Sequence, residues 1–491
     1  MGLQKYFVFI SVILSLYTTA CTTETRLPTQ KQPNIVFFFI DDMGWRDWSG
    51  NGSDFLLTPS IDRIAKEGIV FEQGYVNAAN CAPSRCALLS GQYPPRNHFY
   101  NVWSIHRGNP KTDRLSLKDV PDKQVLPDKR VTFAEAMKKV GYATAMYGKW
   151  HVSGDGKFGS GTTGGVSPQM QGFDDVLEHG AGDLGKMFKK NKDPKQIYSY
   201  TKKAMDFAEK CHKENKPFLI YLAHHAVHMG YEYRPESLEL YKNKKEGQIN
   251  RNPKYGAMMH DTDRSIGQML DKLKKLNIEK NTVVIFLSDN GGIPTHCTQP
   301  PLRAYKGSYY EGGIRVPFMI RWPGTLQPGK NHTPVMAIDL YPTMLELAGV
   351  TDIKKHLNGY PIDGNSIVPL LKNETLKERS LFWHFPAYLS GSLKYTGGRS
   401  KQYRQQPVTV IRKGDWKLHL YLEEWSLDGG RAKITSNNSV ELYNLKNDIG
   451  EKNNLALTNT KKRDELLDEL LAWQQQIKAP IPKEANPQQL K

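Results

Sequence analysis

Four stretches of the chain are apolar at nearly every position and stop abruptly at polar residues. Residues 34–40 (Asn-Ile-Val-Phe-Phe-Phe-Ile) run into Asp41-Asp42, and residues 143–147 run into Gly148-Lys149-Trp150-His151. Residues 218–223 run into His224-His225-Ala226-Val227-His228, and residues 283–287 into Ser288-Asp289-Asn290-Gly291-Gly292. Such unbroken runs predict strands buried on both faces of a parallel sheet. Helical spacing covers 61–67, 132–140, 200–210 and 261–276 between them. The alternation predicts an α/β fold, a large, mostly parallel mixed sheet sandwiched by helices. In open sheets of this kind ligands bind beyond the carboxyl ends of the strands, which puts all four polar clusters on one rim.

From about Leu381 the texture changes. Segments 408–412, 416–420 and 441–443 alternate and are joined by Gly-Asp or Asn-rich turns, which predicts a small antiparallel sheet. Leu466, Leu467, Leu470, Trp473 and Ile477 follow at helical spacing as a core stripe. The expected organisation is 34–375 for the α/β domain and 376–491 for a C-terminal α+β subdomain, with a Gly-rich loop at 153–165 beside the rim.

Composition narrows the class. Of 491 residues, 39% are hydrophobic and 10% aromatic, which excludes disorder and a polytopic membrane protein. The net charge is +17, spread along the chain without a helix-turn-helix, zinc-finger or RNA-recognition signature, so no nucleic-acid partner is expected. Either a solvated basic surface or steering of a polyanion accounts for it.

The first residues form an export signal: Lys5, the short apolar run 6–16, then Thr18-Thr19-Ala20-Cys21. The small residue before cysteine resembles the lipobox of bacterial lipoproteins. It implies removal of 1–20, a lipid anchor on Cys21 holding the chain to a membrane, and a polar linker over 22–33; a plain signal peptide cut nearby is the alternative. The expected location is the periplasm or the outer-membrane surface. The other cysteines (Cys81, Cys86, Cys211, Cys297) suggest neither a disulfide scaffold nor a zinc site.

The candidate chemistry lies on the rim. Asp41-Asp42 alone would serve as a loop start or helix cap. Joined to Asp289-Asn290 after a second buried strand, it makes a cluster of hard oxygen donors suited to Ca²⁺ or Mg²⁺. Cys81-Ala82-Pro83-Ser84-Arg85-Cys86-Ala87-Leu88-Leu89-Ser90-Gly91 could be a buried thiol at a helix start. The eleven positions together resemble the signature of type I sulfatases, of the alkaline-phosphatase-like superfamily, in which the cysteine becomes formylglycine. Gly141 to His151 resembles that family's second signature. Similar segments are Thr58 to Arg63, Lys306 to Pro317, Ile338 to Thr343 and Leu442 to Leu445.

The resemblance implies one calcium ion held by Asp41, Asp42, Asp289 and Asn290, with modified Cys81 (3-oxoalanine) completing the site. It implies that Arg85 holds the formylglycine and that Lys149, His151, His228 and Lys306 contact the sulfate. His228 is taken by alignment to the motif's last histidine, and His224 and His225 as packing or hydrogen-bonding residues. A hydrated aldehyde offers two hydroxyls on one carbon. One attacks sulfur and displaces the alcohol, and the other, once deprotonated, expels sulfate. His228 or Lys306 would protonate the leaving oxygen and His151 would be the later base. A separate formylglycine-generating enzyme is an implied partner.

The implied substrate is a sulfated polysaccharide or its oligosaccharides, either algal (ulvan, carrageenan, fucoidan) or a host glycosaminoglycan. Trp103, His106, Arg107, Tyr403 and Arg404 are candidate sugar-subsite residues, and ordinary surface is the alternative for each. Two other functions fit less of the chain: a phosphonate or phosphate monoesterase of the same superfamily, and a non-catalytic glycan-binding lipoprotein.

Overall fold

The computed structural model describes residues 32–154, 166–178, 192–391 and 397–489. The expected signal segment, Cys21, nearly all of the linker and most of the Gly-rich stretch 153–165 lie outside the described residues.

Eight strands form the large sheet: β1 (Asn34–Ile40), β2 (Gly68–Phe71), β3 (Ala143–Gly148), β4 (Asp175–Glu178), β5 (Phe218–Ala223), β6 (Thr282–Ser288), β7 (Phe318–Arg321) and β8 (Gly329–Asn331). Their order is β8-β2-β7-β6-β1-β5-β3-β4. Strands β4, β3, β5, β1 and β6 are mutually parallel, and β7 is antiparallel to both β6 and β2. The four strands read from unbroken apolar runs are therefore adjacent at the centre of a mixed, mostly parallel sheet. Sequence reasoning did not single out β2, β4, β7 or β8.

Alternation along β1 divides the core. Ile35, Phe37 and Phe39 join one layer with α2 (Cys81–Ser90), α3 (Phe133–Lys138) and α6 (Leu340–Leu347). Val36, Phe38 and Ile40 join the other with α1 (Pro59–Lys66), α4 (Ile197–Lys213) and α5 (Pro253–Lys275). Helices thus cover both faces, as an apolar strand with two buried sides demands. Phe37, Phe38 and Phe39 are all fully buried, and burying one such side chain contributes roughly 1.5–3 kcal/mol.

A second, antiparallel sheet is built from β9 (Ser380–Phe385), β10 (Val408–Lys413), β11 (Trp416–Tyr421) and β12 (Val440–Asn444), in that order. Helix α7 (Thr460–Gln476) lays the Leu466, Leu467, Leu470 and Trp473 stripe on the core. The Trp473 ring stacks on Phe382 with centroids 4.5 Å apart. This sheet is fastened to the large one by buried charge: Lys417 Nζ reaches Glu311 at 2.8 Å and Glu451 at 2.9 Å. A three-stranded ribbon also crosses between the two parts. Tyr388–Ser390 pairs in parallel with His106–Arg107 and antiparallel with Tyr403–Gln405. The described residues from Gln32 onward pack as one unit.

Candidate active site

The central strands end level with one another. Ile40 pairs with Ser288, Phe39 with Ala223, and Gly148 with Ala223. Asp41, Asp289, His224 and Lys149 are accordingly the first residues past the sheet. The Lys149 amide donates to Ala223 O at 2.7 Å and the Asp289 amide to Ile40 O at 3.0 Å, which carries the ladder into the loops. Gly148 has φ 113°, and a Cβ there would lie 2.0 Å from Ala223 O, so the exit from β3 requires glycine. Asp42 takes the left-handed region (φ 63°), which Asp tolerates better than most residues. Its amide donates to Asp289 Oδ1 at 3.1 Å.

Three carboxylates and three cations interleave at this rim. Lys149 Nζ lies 2.6 Å from Asp41 Oδ2, and Lys306 Nζ 2.5 Å from Asp42 Oδ1. Arg85 places Nε and Nη2 on Asp289 Oδ2 at 3.0 and 2.7 Å, and Nη1 on Lys149 O at 2.9 Å. Asn290 Nδ2 donates to Asp42 Oδ1 at 2.8 Å. Asp41, Asp42, Asp289 and Asn290 are all buried.

Cys81 opens α2, which is buried along its whole length and ends at Gly91 (φ 66°) in a left-handed cap. Pro83 falls in the first turn, where its missing N–H forfeits no intrahelical bond. Arg85, one turn on, shares the rim-facing side of the helix with Cys81. Ligand atoms of Asp41, Cys81 and Asp289 lie within 4.8 Å of one another, and those of Asp41, Asp42 and His228 likewise. Asp41 Oδ1 and Asn290 Oδ1 are buried acceptors without a hydrogen-bond partner, each costing about 1–3 kcal/mol if left so. Hard oxygens gathered at one rim and left unsatisfied fit a divalent cation of the calcium or magnesium class.

The electrostatics follow from burial and crowding. Burial opposes ionisation of Asp41, but Lys149, His228, Arg85 and Lys306 outweigh it and hold the carboxyl well below the ordinary range. Asp42 is lowered on the same balance, with Lys306 its main counter-charge. Burial and the Asp41 charge push Asp289 up to about 7 despite Arg85. Burial raises the Cys81 thiol against the pull of Lys149 and Lys306. Burial, then Lys149 and Arg85, hold His151 well below its usual range.

The structure separates the three histidines past β5. His228 Nε2 faces Asp42 Oδ2 at 3.7 Å, and burial lowers the ring to about 4. His225 Nε2 faces Asp41 Oδ2 at 4.0 Å, and its ring centre lies 5.3 Å from that of His228. Two positions of the loop past β5, His225 and His228, thus face the rim carboxylates, while His224 lies toward the Tyr200 ring. Arg85 finds its direct side-chain partner in Asp289, one turn of helix from Cys81. Lys195 was not foreseen. Its Nζ donates to His228 O at 2.5 Å and Met229 O at 3.1 Å, and in sequence it is one lysine among several in a basic stretch.

Comparison with known proteins gives a consistent set. The sulfatase family model matches residues 33–350, and the model described as N-sulphoglucosamine sulphohydrolase, C-terminal, matches 305–478. A Formosa agariphila protein described as a sulfatase is 30% identical over 96% of this chain and 94% of its own. Human N-acetylgalactosamine-6-sulfatase is 30% identical over 72% of this chain and 68% of its own. The crystal structure of Ps i-CgsB in complex with k-i-k-neocarrahexaose matches with a TM-score of 0.68 at 26% identity, covering 90% of this chain and 92% of that one.

Proposed function

This chain belongs to the sulfatase family and is a sulfuric ester hydrolase, and we propose from that premise that it removes ester sulfate from a sulfated glycan with a nucleophile made from Cys81. The observation that carries the reading is the convergence of Cys81, at the first turn of a buried helix, with the Asp41–Asp289 oxygens and the Lys149 and Lys306 ammonium groups. The names of the relatives support a sugar substrate, since one is an N-acetylgalactosamine-6-sulfatase and one structure holds k-i-k-neocarrahexaose. An algal polysaccharide such as carrageenan or ulvan is one source of such units.

Asp41, Asp42, Asp289 and Asn290 would hold a calcium ion, which when bound offsets the anionic charge of the sulfate. Conversion of Cys81 to formylglycine, an aldehyde that adds water, would supply two hydroxyls on one carbon and so a nucleophile that can later release sulfate. The chain's own residues do the rest. Lys149 and Lys306 stand on opposite carboxylates and present donors to the sulfate oxygens, where charge shifts in the transition state. His228 or Lys306, both beside Asp42, would hand a proton to the leaving sugar oxygen. His151, held neutral, is placed to take one back. Arg85 fixes Asp289 and the Lys149 carbonyl, and so sets the spacing between helix, cation site and sulfate donors.

The same reading makes a formylglycine-generating enzyme a required partner. It takes Cys21 as a lipid anchor, with the chain exported to the periplasm or outer-membrane surface. The test is sulfate release by protein co-expressed with such an enzyme, together with mass spectrometry of the peptide containing Cys81. Loss of the thiol mass and sulfate release that vanishes in a folded Cys81→Ala variant are expected. Activity surviving that change would sink the mechanism, and faster turnover of an aryl phosphate than of the aryl sulfate would favour a phosphate monoesterase.

A further inference from the structure

Beside Cys81, the ribbon that joins the two parts of the fold gathers a second set of cations. His106–Arg107 and Tyr403–Gln405 flank Tyr388–Ser390, with Leu389 opposite Arg107 on one side and Gln405 on the other. Arg107 and Arg404, far apart in sequence, come from its two outer strands. The Arg404 stem lies against the Lys306–Gly307 turn. A Cβ on Gly307 (φ 91°) would sit 3.3 Å from Arg404 Cδ and 3.7 Å from Asn80 Oδ1, and Asn80 immediately precedes Cys81. The Gly307 amide also donates to Ala79 O at 2.8 Å. Arg404 thereby lies against the turn carrying Lys306, and that turn is itself tied to the residues preceding α2.

Arg107 is only partly buried. Its guanidinium carbon stands 5.5 Å from the centre of the Trp103 ring, and Nη1 has a long contact of 3.5 Å to Asn101 Oδ1. Among the described residues no carboxylate forms an ion pair with it. Burial lowers its hold on a proton, and the like charge of Arg404 lowers it further, whereas an ionised Cys81 would raise it. Trp103 is 54% exposed and lines a small cleft with Ala82 and His151. A large aromatic ring left in solvent beside reacting groups is a sugar-stacking surface in chemical terms.

We propose that Arg107 and Arg404, with Trp103 as the sugar platform, form a second anion subsite, which takes a further sulfate or carboxylate on the glycan beside the scissile sulfate. The inference rests on the sulfatase reading above and narrows its substrate class to glycans with at least two anionic groups close together. Two arginines from the outer strands of one ribbon supply planar guanidinium forks, and such forks suit both sulfate and carboxylate oxygens.

The test uses matured enzyme and four probes: 4-nitrophenyl sulfate, N-acetylgalactosamine 6-sulfate, its 4,6-disulfate, and a disaccharide joining the 6-sulfate to a glucuronate. At least one doubly anionic sugar should exceed the 6-sulfate in kcat/KM by about tenfold or more, carried mainly by KM. Which of the two does so identifies the second anion. In Arg107→Gln and Arg404→Gln that ratio should collapse toward one. Calorimetric binding of the same sugars to Cys81→Ala protein reads the subsite without turnover. An active enzyme with no preference for either doubly anionic sugar, or a preference unchanged in both variants, overturns the subsite alone. An enzyme inactive on all four probes, whose Cys81→Ala form still prefers the doubly anionic sugars, overturns the sulfatase reading and keeps the subsite.

Discussion

Arg85 and Asp289 form a fully buried pair across 204 positions of chain, with two guanidinium nitrogens on a single carboxylate oxygen. The other Asp289 oxygen receives the Asp42 amide, and the remaining Arg85 nitrogen holds the Lys149 carbonyl. One ion pair therefore binds α2 to the exits of β6, β1 and β3.

Removing one partner of such a pair strands the other. Arg85→Ala should lower unfolding free energy by about 3–5 kcal/mol, and Arg85→Lys by less, because the charge remains while the fork is lost. Urea unfolding checks the first statement. Sulfate release should fall in both variants, and an Arg85→Lys protein with full activity would show that the fork geometry is immaterial.

The cation site has its own signature. Dialysis against a chelator should abolish sulfate release, and added Ca²⁺ should restore it. Calcium at a hundredfold excess over its dissociation constant should stabilise the fold by about 2.7 kcal/mol. Asn290→Ala, which removes a buried oxygen without an internal partner, should weaken that gain. A thermal midpoint indifferent to calcium would contradict the assignment.

Lys195 is a positioning residue. It pins the carbonyls of His228 and Met229, while burial lowers its ammonium to about 8 against the pull of Asp41 and Glu232. Lys195→Met should free the histidine loop and reduce kcat about ten- to a hundredfold, with KM little changed, since small misplacements near reacting groups are costly. Lys195→Arg should recover part of the loss. A rise in KM alone would indicate a substrate contact.

Acid sensitivity should trace in part to His384, far from the rim. Its Nε2 donates to Pro480 O and its Nδ1 accepts from the Thr409 hydroxyl, each at 2.8 Å. Burial lowers the ring to about 4. Between that value and the ordinary value near 6.5 the unfolded chain binds a proton that the folded chain does not. The contribution is complete above pH 6.5 and is lost as pH falls toward 4, on the order of 3 kcal/mol in all. Urea midpoints at pH 7 and pH 5 should converge in His384→Gln relative to the parent protein.

What was legible in sequence had local causes. β1, β3, β5 and β6 are buried on both faces, so composition alone marks them, and their polar exits announce the rim. β2, β7 and β8 are only three or four residues long, and β4 is half-exposed throughout, so neither length nor pattern distinguishes them. β9 is an apolar run whose identity as a strand depends on β10, more than twenty positions away. The same distance hid the site's finer wiring. That Arg85 grips Asp289, that His225 faces Asp41, and that Lys195 lies beneath His228 are products of tertiary meeting, with no spacing in the chain to betray them.

The burial of Cys81 has a consequence in time. Its side chain is 3% exposed, and α2 is enclosed along its length. The enclosure needs β1 seated between β5 and β6, and Arg85 has no Asp289 to grip until 204 further residues have emerged. A maturation enzyme of the kind proposed must therefore reach the thiol while the chain is still unfinished or held open for export. The interval between the appearance of α2 and the arrival of β6 becomes a window, and a molecule that folds before it is used remains a thiol.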